Sequence, residues 1–410
     1  MTSSRRVAAL ALMVLVFIMD GYDINAMALA VPRLETSLGL PAADFGMVFS
    51  ALLVGLGAGA AVLAPLGDRL GRKPLIVFGC LLIAATTLAT ALASSIPQFL
   101  VWRLLTGVGL GACLPNCTAL SAELAPEKLR ATLMAVVSAG IPVGAALAGF
   151  LAPDVVAMGG WQALFVVPGA FAAILGLLLW IVLPAEAVRP AAAPAAALSP
   201  APSRSRIPQF ELFRAPWLLP FSVFAGALTL NAVNLYLLVS WTPTVLPQAG
   251  FTIDQAARVT GAMQLAGLVV GIGMSVLIDR WRPAVTMAGG FLLMGACFLA
   301  IGLTTPEPTR WTILLLAGVG GVSGAGMALP ALTAYLFPSY LLSSAVGMGV
   351  LVARVGAIAG PLVGQAMLSA NVAPAMFIAT AALPAALAAL ICLGLPAALA
   401  VRRRVEAAAA

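Results

Sequence analysis

Twelve apolar runs, most of them about 20 residues long, dominate this chain and limit what it can fold into. Inside a bilayer only α-helices and closed β-barrels satisfy all of their backbone hydrogen bonds. The runs do not alternate apolar and polar residues, as barrel strands would. Hydrophobic residues make up 62% of the chain and charged residues only 9%, so the sequence predicts an all-α integral membrane protein surrounded by lipid.

The predicted spans are numbered 1 to 12 in chain order. Their bounds are 7–31, 45–66, 74–94, 98–121, 132–153, 161–183, 217–240, 255–278, 284–304, 311–336, 344–369 and 374–400. The five cysteines all fall within these spans, which is typical of small buried side chains and not of disulfides or metal ligands.

Two motifs occur once in each half of the chain. An acid-base pair follows span 2 (Asp68-Arg69) and span 8 (Asp279-Arg280), and a Gly-x-x-x-Gly pattern in span 5 recurs in span 11. This repetition predicts two six-helix bundles, at 1–183 and 217–410. Between them, residues 184–216 are rich in Ala, Pro and Ser, which predicts a cytoplasmic linker.

The basic residues indicate the orientation. With the N-terminus inside, 16 of the 21 Lys and Arg residues lie in cytoplasmic segments and only three in outer loops. This asymmetry predicts a multi-pass protein of the bacterial inner membrane with both termini in the cytoplasm. A competing interpretation takes Arg5-Arg6 and the apolar run from Val7 as a signal peptide, whose cleavage would remove the first span.

Two aspartates interrupt span 1, in the run Ile18-Met-Asp20-Gly-Tyr-Asp23. A carboxylate at the bilayer centre costs roughly 2.5–3.5 kcal/mol, so such residues are rare and usually line a pathway. Three residues apart, the two share one helix face. Asp20 and Asp23 are therefore predicted to couple transport to protons. The chain contains no histidine, so a proton relay has to use carboxylates.

The loop after span 2 reads Gly67-Asp68-Arg69-Leu-Gly71-Arg72-Lys73. Its charge alone would explain it as a positive-inside anchor. Its order of residues, however, resembles the loop signature of the major facilitator superfamily, which implies a twelve-helix carrier with two pseudo-repeated halves. By the same resemblance, a gating role is expected for Asp68, Arg69, Gly71, Arg72, Glu123, Arg130, Asp279 and Arg280.

Further motifs narrow the resemblance. Asp20-Gly-Tyr-Asp23 is similar to the span-1 signature of the aromatic acid:proton symporters. The stretches Arg103–Arg130, Ser240–Gly250 and Arg354–Pro361 resemble the family's span 4, the end of span 7, and span 11. The family resemblance implies proton-coupled uptake of a hydroxybenzoate, protocatechuate, gentisate or hydroxyphenylpropionate by alternating access, and superfamily analogy implies a monomer.

Arg103 and Arg354 are the two arginines that lie more than one helical turn inside their spans. Spans 1 and 4 are neighbours in the implied fold, and Arg103 lies at a depth similar to that of Asp23, so the two side chains are within reach of each other. The alternatives are a snorkelling arginine at the outer interface for Arg103 and a structural partner of an aspartate for Arg354. Two aspartates and two arginines sum to zero, and one proton plus one carboxylate anion keep that sum. We therefore expect an arginine, Arg354 in preference to Arg103, to hold the substrate carboxylate through paired hydrogen bonds.

An aromatic acid also needs an apolar slot for its ring and a partner for any ring hydroxyl. For each aromatic side chain, ordinary helix packing is the alternative role. The candidates are Tyr22, Phe49, Tyr236 and Trp241 for the ring, and Asn116, Asn231 and Asn234 for the hydroxyl.

Other classes of protein lack support in the sequence. There is no Walker loop, no nucleophile–His pair and no metal-ligand cluster, so neither an enzyme nor a cofactor is expected. The net charge of +7 lies in short loops and is no sign of nucleic-acid binding.

A proton-driven exporter of the same superfamily is the alternative, because span 11 carries the Gly-x-x-x-Gly-Pro pattern common in antiporters. Span 5 lacks the proline after Gly144, which favours import. A non-transporting receptor would need a signalling domain that the chain is not expected to have.

Overall fold

The computed structural model describes residues 3–126, 129–183 and 208–409. Its helices are α1 (Ser3–Leu38), α2 (Phe45–Val62), α3 (Leu66–Leu70), α4 (Arg72–Thr90), α5 (Ile96–Leu124), α6 (Arg130–Gly159), α7 (Ala163–Val182), α8 (Pro208–Glu211), α9 (Leu218–Gln248), α10 (Ile253–Arg280), α11 (Pro283–Leu303), α12 (Pro308–Leu336), α13 (Ser339–Ser369), α14 (Pro374–Ala379), α15 (Ala382–Cys392) and α16 (Leu395–Ala409). Among the described residues, twelve segments are long and apolar enough to cross a membrane, which confirms the predicted number.

Prolines explain where the predicted spans 2 and 12 are interrupted. Span 2 was expected to continue to residue 66, but α2 ends at Val62, three residues before Pro65. The last span consists of α14, α15 and α16, with breaks next to Pro384 and Pro396. A proline has no N–H to donate to the carbonyl four residues earlier, so the helix breaks in the preceding turn.

The described residues form two compact units. The first unit contains α1–α7 together with Ile253–Gly261 at the start of α10. Within it α1 packs on α6, α2 packs on α5, and α4 packs on α5 and α7. Three buried cysteines meet between α4 and α5, where Cys113 Sγ lies 3.6 Å from Cys80 Sγ and 3.7 Å from Cys117 Sγ; all three are free thiols.

The second unit contains α8, α9, the rest of α10 and α11–α16. Its largest helix pairs are α9 with α13 and α11 with α12 and α15. The predicted linker 184–216 is described only from residue 208 onward, where α8 is followed by turns. The division into 1–183 and 217–410 remains a prediction.

The recurring glycine patterns bring helix backbones into close approach in each unit. A Cβ atom at Gly144 of α6 would overlap the carbonyl oxygen of Ile18 in α1. In the second unit, a Cβ atom at Gly360 of α13 would lie 2.7 Å from the carbonyl oxygen of Val233 in α9. Small residues that allow such approach are a main source of helix association in membranes.

We expect Gly144→Ala to destabilise the α1–α6 pair by about 1–3 kcal/mol, since the added methyl has to push two backbones apart. Thermal unfolding in detergent measures the effect. Gly57→Ala in α2 is the matched control, because a Cβ atom there would meet nothing within 4 Å. Equal unfolding temperatures for the two variants would contradict this account of the helix pair.

Candidate functional site

An ion pair between Asp23 and Arg103 is buried at the centre of the first unit. Asp23 is 0% exposed and Arg103 is 1% exposed. Arg103 Nη1 donates to both carboxylate oxygens of Asp23, at 3.1 and 2.9 Å, and its Nη2 donates to the Asp23 backbone carbonyl at 2.8 Å. Thr87 Oγ1 of α4 also donates to Asp23 Oδ1, at 3.1 Å. The pair that depth made possible is therefore formed, and Thr87 is a partner that the sequence did not reveal.

The guanidinium of Arg103 neutralises the carboxylate of Asp23 and is itself occupied by this contact. Three of its hydrogen bonds go to the same residue, so Arg103 is committed to span 1. A buried pair of this kind is strongly destabilised when one partner alone is removed, because the other charge stays buried without its counter-ion.

Asp20 lies three residues before Asp23 in α1 and is 1% exposed. Its burial agrees with the predicted shared face of the two aspartates. Between them, Tyr22 is 9% exposed. Across the described residues, no group forms a hydrogen bond with the buried Tyr22 hydroxyl. This hydroxyl is therefore a polar group available to a ligand in the first unit.

Arg354 has different surroundings. It lies in the middle of α13 and is half-buried. Within residues 3–126, 129–183 and 208–409, its guanidinium forms neither a hydrogen bond nor an ion pair. Of the two arginines inside spans, Arg354 is thus the one that retains its hydrogen-bonding capacity for an anion.

The structure separates the three candidate asparagines. Asn116 Nδ2 donates to the Ala112 carbonyl at 2.8 Å, and its Oδ1 occupies the space where Gly67 would carry a Cβ atom. Asn234 Nδ2 donates at 3.0 Å to the carbonyl of Ala381, at the break between α14 and α15. Both amides therefore help to hold helices and turns in place. Asn231 is 2% exposed, and no described group donates to its Oδ1.

The candidate aromatic residues also differ. Trp241 is fully buried, and its Nε1 donates to the Pro361 carbonyl at 3.0 Å, so it joins α9 to α13. Phe49 of α2 is 7% exposed, and Tyr236 of α9 is half-buried. Packing accounts for Trp241, whereas Tyr236 keeps part of its surface accessible.

The loop motif of the first unit is anchored to the end of span 4. Arg72 Nη1 pairs with Glu123 Oε1 at 2.7 Å. Arg130 is exposed and forms no ion pair with Glu123 within the described residues, and the gating roles of both residues stay predictions. Gly71 joins α3 to α4 with φ +92°, a backbone conformation that residues other than glycine rarely adopt.

Lys73, the next residue, also contacts a neighbouring helix. Its Nζ donates to the carbonyl of Leu183 at 2.6 Å and lies 5.2 Å from the ring centre of Trp180, at the end of α7. Arg69 is exposed, and the side chain of Asp68 lies outside the described part of the chain.

The second unit has a counterpart to this anchor. The hydroxyl of Tyr335, at the end of α12, donates to Asp279 Oδ1 at 2.6 Å, and Arg280 is exposed. A residue of the loop therefore contacts the last turn of span 4 in one unit and of span 10 in the other, but only Asp279 belongs to the repeated acid-base pair.

An ion pair that the sequence did not predict ties two more helices together. Arg33 Nη2, near the end of α1, lies 2.8 Å from Asp254 Oδ1 in the first turn of α10. The only sequence signal was an opposite charge at the outer end of each span, which did not single out this pairing.

Comparison with known proteins places the chain in a family. Residues 13–361 match the family model described as Major Facilitator Superfamily. The chain belongs to the major facilitator superfamily. It is therefore a multi-pass membrane transporter and not an enzyme.

Two curated superfamily relatives are similar over most of their length. The chain is 32% identical to the gallate transporter of Pseudomonas putida, over 93% of this chain and 90% of the relative. It is 35% identical to the 3-(3-hydroxy-phenyl)propionate transporter of Escherichia coli (strain K12), over 90% of this chain and 88% of the relative. These matches confirm the resemblance to the superfamily's aromatic acid transporters.

A solved structure supports the superfamily fold. The inward-facing, unoccupied bacterial homolog of the human lysosomal transporter Spinster aligns with a TM-score of 0.74, covering 98% of this chain and 97% of that one. At 17% identity this likeness concerns the fold alone.

Proposed function

We propose that this carrier imports an aromatic carboxylate together with a proton, by alternating access, across the bacterial inner membrane. The observation that carries the proposal is the difference between the two arginines. Arg103 is committed to Asp23, whereas Arg354 is half-buried and makes no ion pair within the described residues. The relatives named for gallate and hydroxyphenylpropionate support an aromatic acid as the anion.

In this proposal Arg354 holds the carboxylate and Asp20 holds the proton. A guanidinium binds a planar carboxylate through two parallel hydrogen bonds, which fixes its orientation as well as its charge. We assign the proton to Asp20 because Asp23 already has Arg103 as its counter-ion. Arg354 belongs to the second unit and Asp20 to the first, so one unit would bind the anion and the other the proton.

Charge balance explains why the two cargoes would travel together. The four intramembrane charges sum to zero when the carrier is empty, and again when one proton and one anion are bound. A carrier with only the proton or only the anion would have to move a net charge through hydrocarbon, which is costly. Charge balance alone would then couple the movement of the anion to that of the proton.

Orientation and gating complete the proposal. The excess of Lys and Arg in alternate loops supports a cytoplasmic position for both termini. We assign gating to the loop anchors, Arg72 with Glu123 and Asp279 with Tyr335. Such exposed or half-exposed contacts contribute only about 0–1 kcal/mol, so they can break and re-form during transport.

Uptake into proteoliposomes tests the function. With an inward proton gradient, we expect the wild-type carrier to accumulate labelled 4-hydroxybenzoate or 3-hydroxyphenylpropionate, and Asp20→Asn to abolish that accumulation. Asp20→Asn should still exchange labelled for unlabelled substrate, since exchange needs no net proton movement. Asp154→Asn is the matched control, because Asp154 is an exposed carboxylate in α6.

The alternatives give different results. Efflux accelerated by an opposing gradient, without uptake, would assign the carrier to export. Normal gradient-driven accumulation by Asp20→Asn would refute the assignment of the proton to this residue.

A further inference from the structure

Asn231 is a buried amide whose oxygen lacks a donor. Its side chain is 2% exposed, and no group in the described part of the chain donates to its Oδ1. Burying an amide without partners is unfavourable, so such an atom calls for a ligand or a bound water molecule. The oxygen of Asn234 also lacks a donor, but its Nδ2 donates to a backbone carbonyl, as that of Asn116 does.

The amide of Asn231 faces a position where α12 has no side chain. A Cβ atom built at Gly326 would meet one neighbour within 4 Å, the Nδ2 of Asn231 at 3.2 Å. On this face of α12, Ser323, Gly326 and Pro330 are partly exposed, whereas Ala325 and Ala328 are buried. Gly326 therefore leaves accessible space next to the Asn231 amide, whose oxygen accepts no hydrogen bond from the described residues.

The position of this space along the second unit can be compared with that of Arg354. The close contacts of Gly349 with Phe224, and of Gly356 with the carbonyl of Thr229, set the register of α13 on α9. By interpolation Arg354 is level with residues 227–228 of α9. Asn231 lies three to four residues further along, which is roughly 5 Å along the axis at 1.5 Å per residue. This separation suits the two ends of one small aromatic molecule.

We propose that Asn231 and Gly326 form a subsite for a ring hydroxyl, so that the carrier prefers hydroxylated aromatic acids to their unsubstituted analogues. This inference rests on the proposed function and names the substrate class. The carboxylate would bind Arg354, and the hydroxyl would enter the space beside Gly326.

A hydroxyl is the group that this amide can bind most completely. It donates to the amide oxygen and accepts from the amide nitrogen, and it can do so whichever way the amide is turned. A second carboxylate could accept but not donate, and an unsubstituted ring would leave the amide unsatisfied. Sites built to bond a substrate hydroxyl discriminate strongly against analogues that lack it.

Matched pairs of substrates test the subsite. Transport of 4-hydroxybenzoate against benzoate, and of 3-(3-hydroxyphenyl)propionate against 3-phenylpropionate, is measured in proteoliposomes as kcat/KM. The wild type is expected to prefer the hydroxylated member of a pair. Asn231→Leu should reduce that preference about tenfold, since it removes the hydrogen bonds but keeps a similar volume.

Gly326→Ala is a second, independent variant. Its methyl group would occupy the space next to Asn231 Nδ2 and should also lower the preference for the hydroxylated acid. Gly273→Ala in α10 is the matched control, because a Cβ atom there meets nothing within 4 Å. Thermal unfolding of each variant in detergent shows whether the fold is kept.

The outcomes separate this inference from the proposed function. If both members of each pair are transported and Asn231→Leu leaves their ratio unchanged, a resident water satisfies the amide and the subsite is refuted. An equal loss for both members would assign Asn231 to the fold instead. If the wild type carries none of the four acids, the proposed function itself is wrong and the subsite is rejected with it.

Discussion

Arg103→Leu is expected to destabilise the carrier by about 3–5 kcal/mol and to abolish transport. Asp23 would remain fully buried after losing a guanidinium that donates three hydrogen bonds to it. Within the described part of the chain, Thr87 alone would still donate to the carboxylate. An uncompensated buried charge accounts for a loss of this size. Thermal unfolding in detergent and uptake into proteoliposomes measure the two effects.

The double variant Asp23→Asn/Arg103→Gln tests whether the loss of stability comes from an unpaired buried charge or from the loss of these particular side chains. Removing both charges should recover most of the stability, because no unpaired ion remains. If Asp20 carries the proton, this variant should also recover gradient-driven uptake in part.

Arg33→Leu is the matched control for the single variant. It breaks another Arg–Asp pair, in which the Asp254 side chain is 60% exposed, and should cost at most about 1 kcal/mol. A double variant that stays as unstable as Arg103→Leu would contradict the counter-ion role of the buried pair.

The spans and the buried ion pair were predictable because each depends on a large energy that follows from composition. Twenty apolar residues in a row favour a membrane helix wherever they occur, so twelve spans could be counted from hydropathy alone. A buried aspartate needs a counter-ion, and few cations are available within the spans. The depth of Arg103 placed it within reach of Asp23, and the two side chains do meet.

The roles of the asparagines could not be predicted, because they depend on which neighbour each amide faces. Asn116, Asn231 and Asn234 are all buried polar groups in apolar spans, and no local pattern distinguishes them. Asn234 contacts Ala381 only because α14 and α15 are separate helices, and Asn231 faces space only because residue 326 is glycine. Likewise, Glu123 pairs with Arg72, a partner that no local pattern in the sequence singled out.

The two halves also differ in a way that repeated motifs conceal. Ile18 of α1 and Val233 of α9 occupy matching positions, since the carbonyl of each meets the second glycine of the neighbouring Gly-x-x-x-Gly pattern. By this register Asn231 and Asn234 do not match Asp20 and Asp23 but lie about one turn nearer the start of their helix. Along their own helix, the polar residues of the second unit therefore come about one turn earlier than the aspartates of the first unit do along theirs, so the repeated glycine patterns do not carry the same polar residues.

Arg354→Gln is expected to lower kcat/KM for aromatic acid uptake about 100-fold while leaving the fold intact. The loss corresponds to about 2.7 kcal/mol, within the range for hydrogen bonds to a charged group. Little stability should be lost, because the Arg354 guanidinium forms no hydrogen bond within the described residues. Kinetics of initial uptake and thermal unfolding in detergent are the two measurements.

Arg354→Lys distinguishes the shape of the guanidinium from its charge. Lysine keeps the positive charge but cannot form two parallel hydrogen bonds to a carboxylate, so we expect an intermediate loss of about tenfold. Arg258→Gln, at an exposed arginine of α10, controls for removal of a positive charge. If Arg354→Gln transports normally, the anion is held elsewhere. If it loses activity and stability together, Arg354 supports the fold. Loss of uptake with an unchanged unfolding temperature is the result that identifies Arg354 as the carboxylate ligand, because only a group left available by the folded protein can be removed at no cost to it.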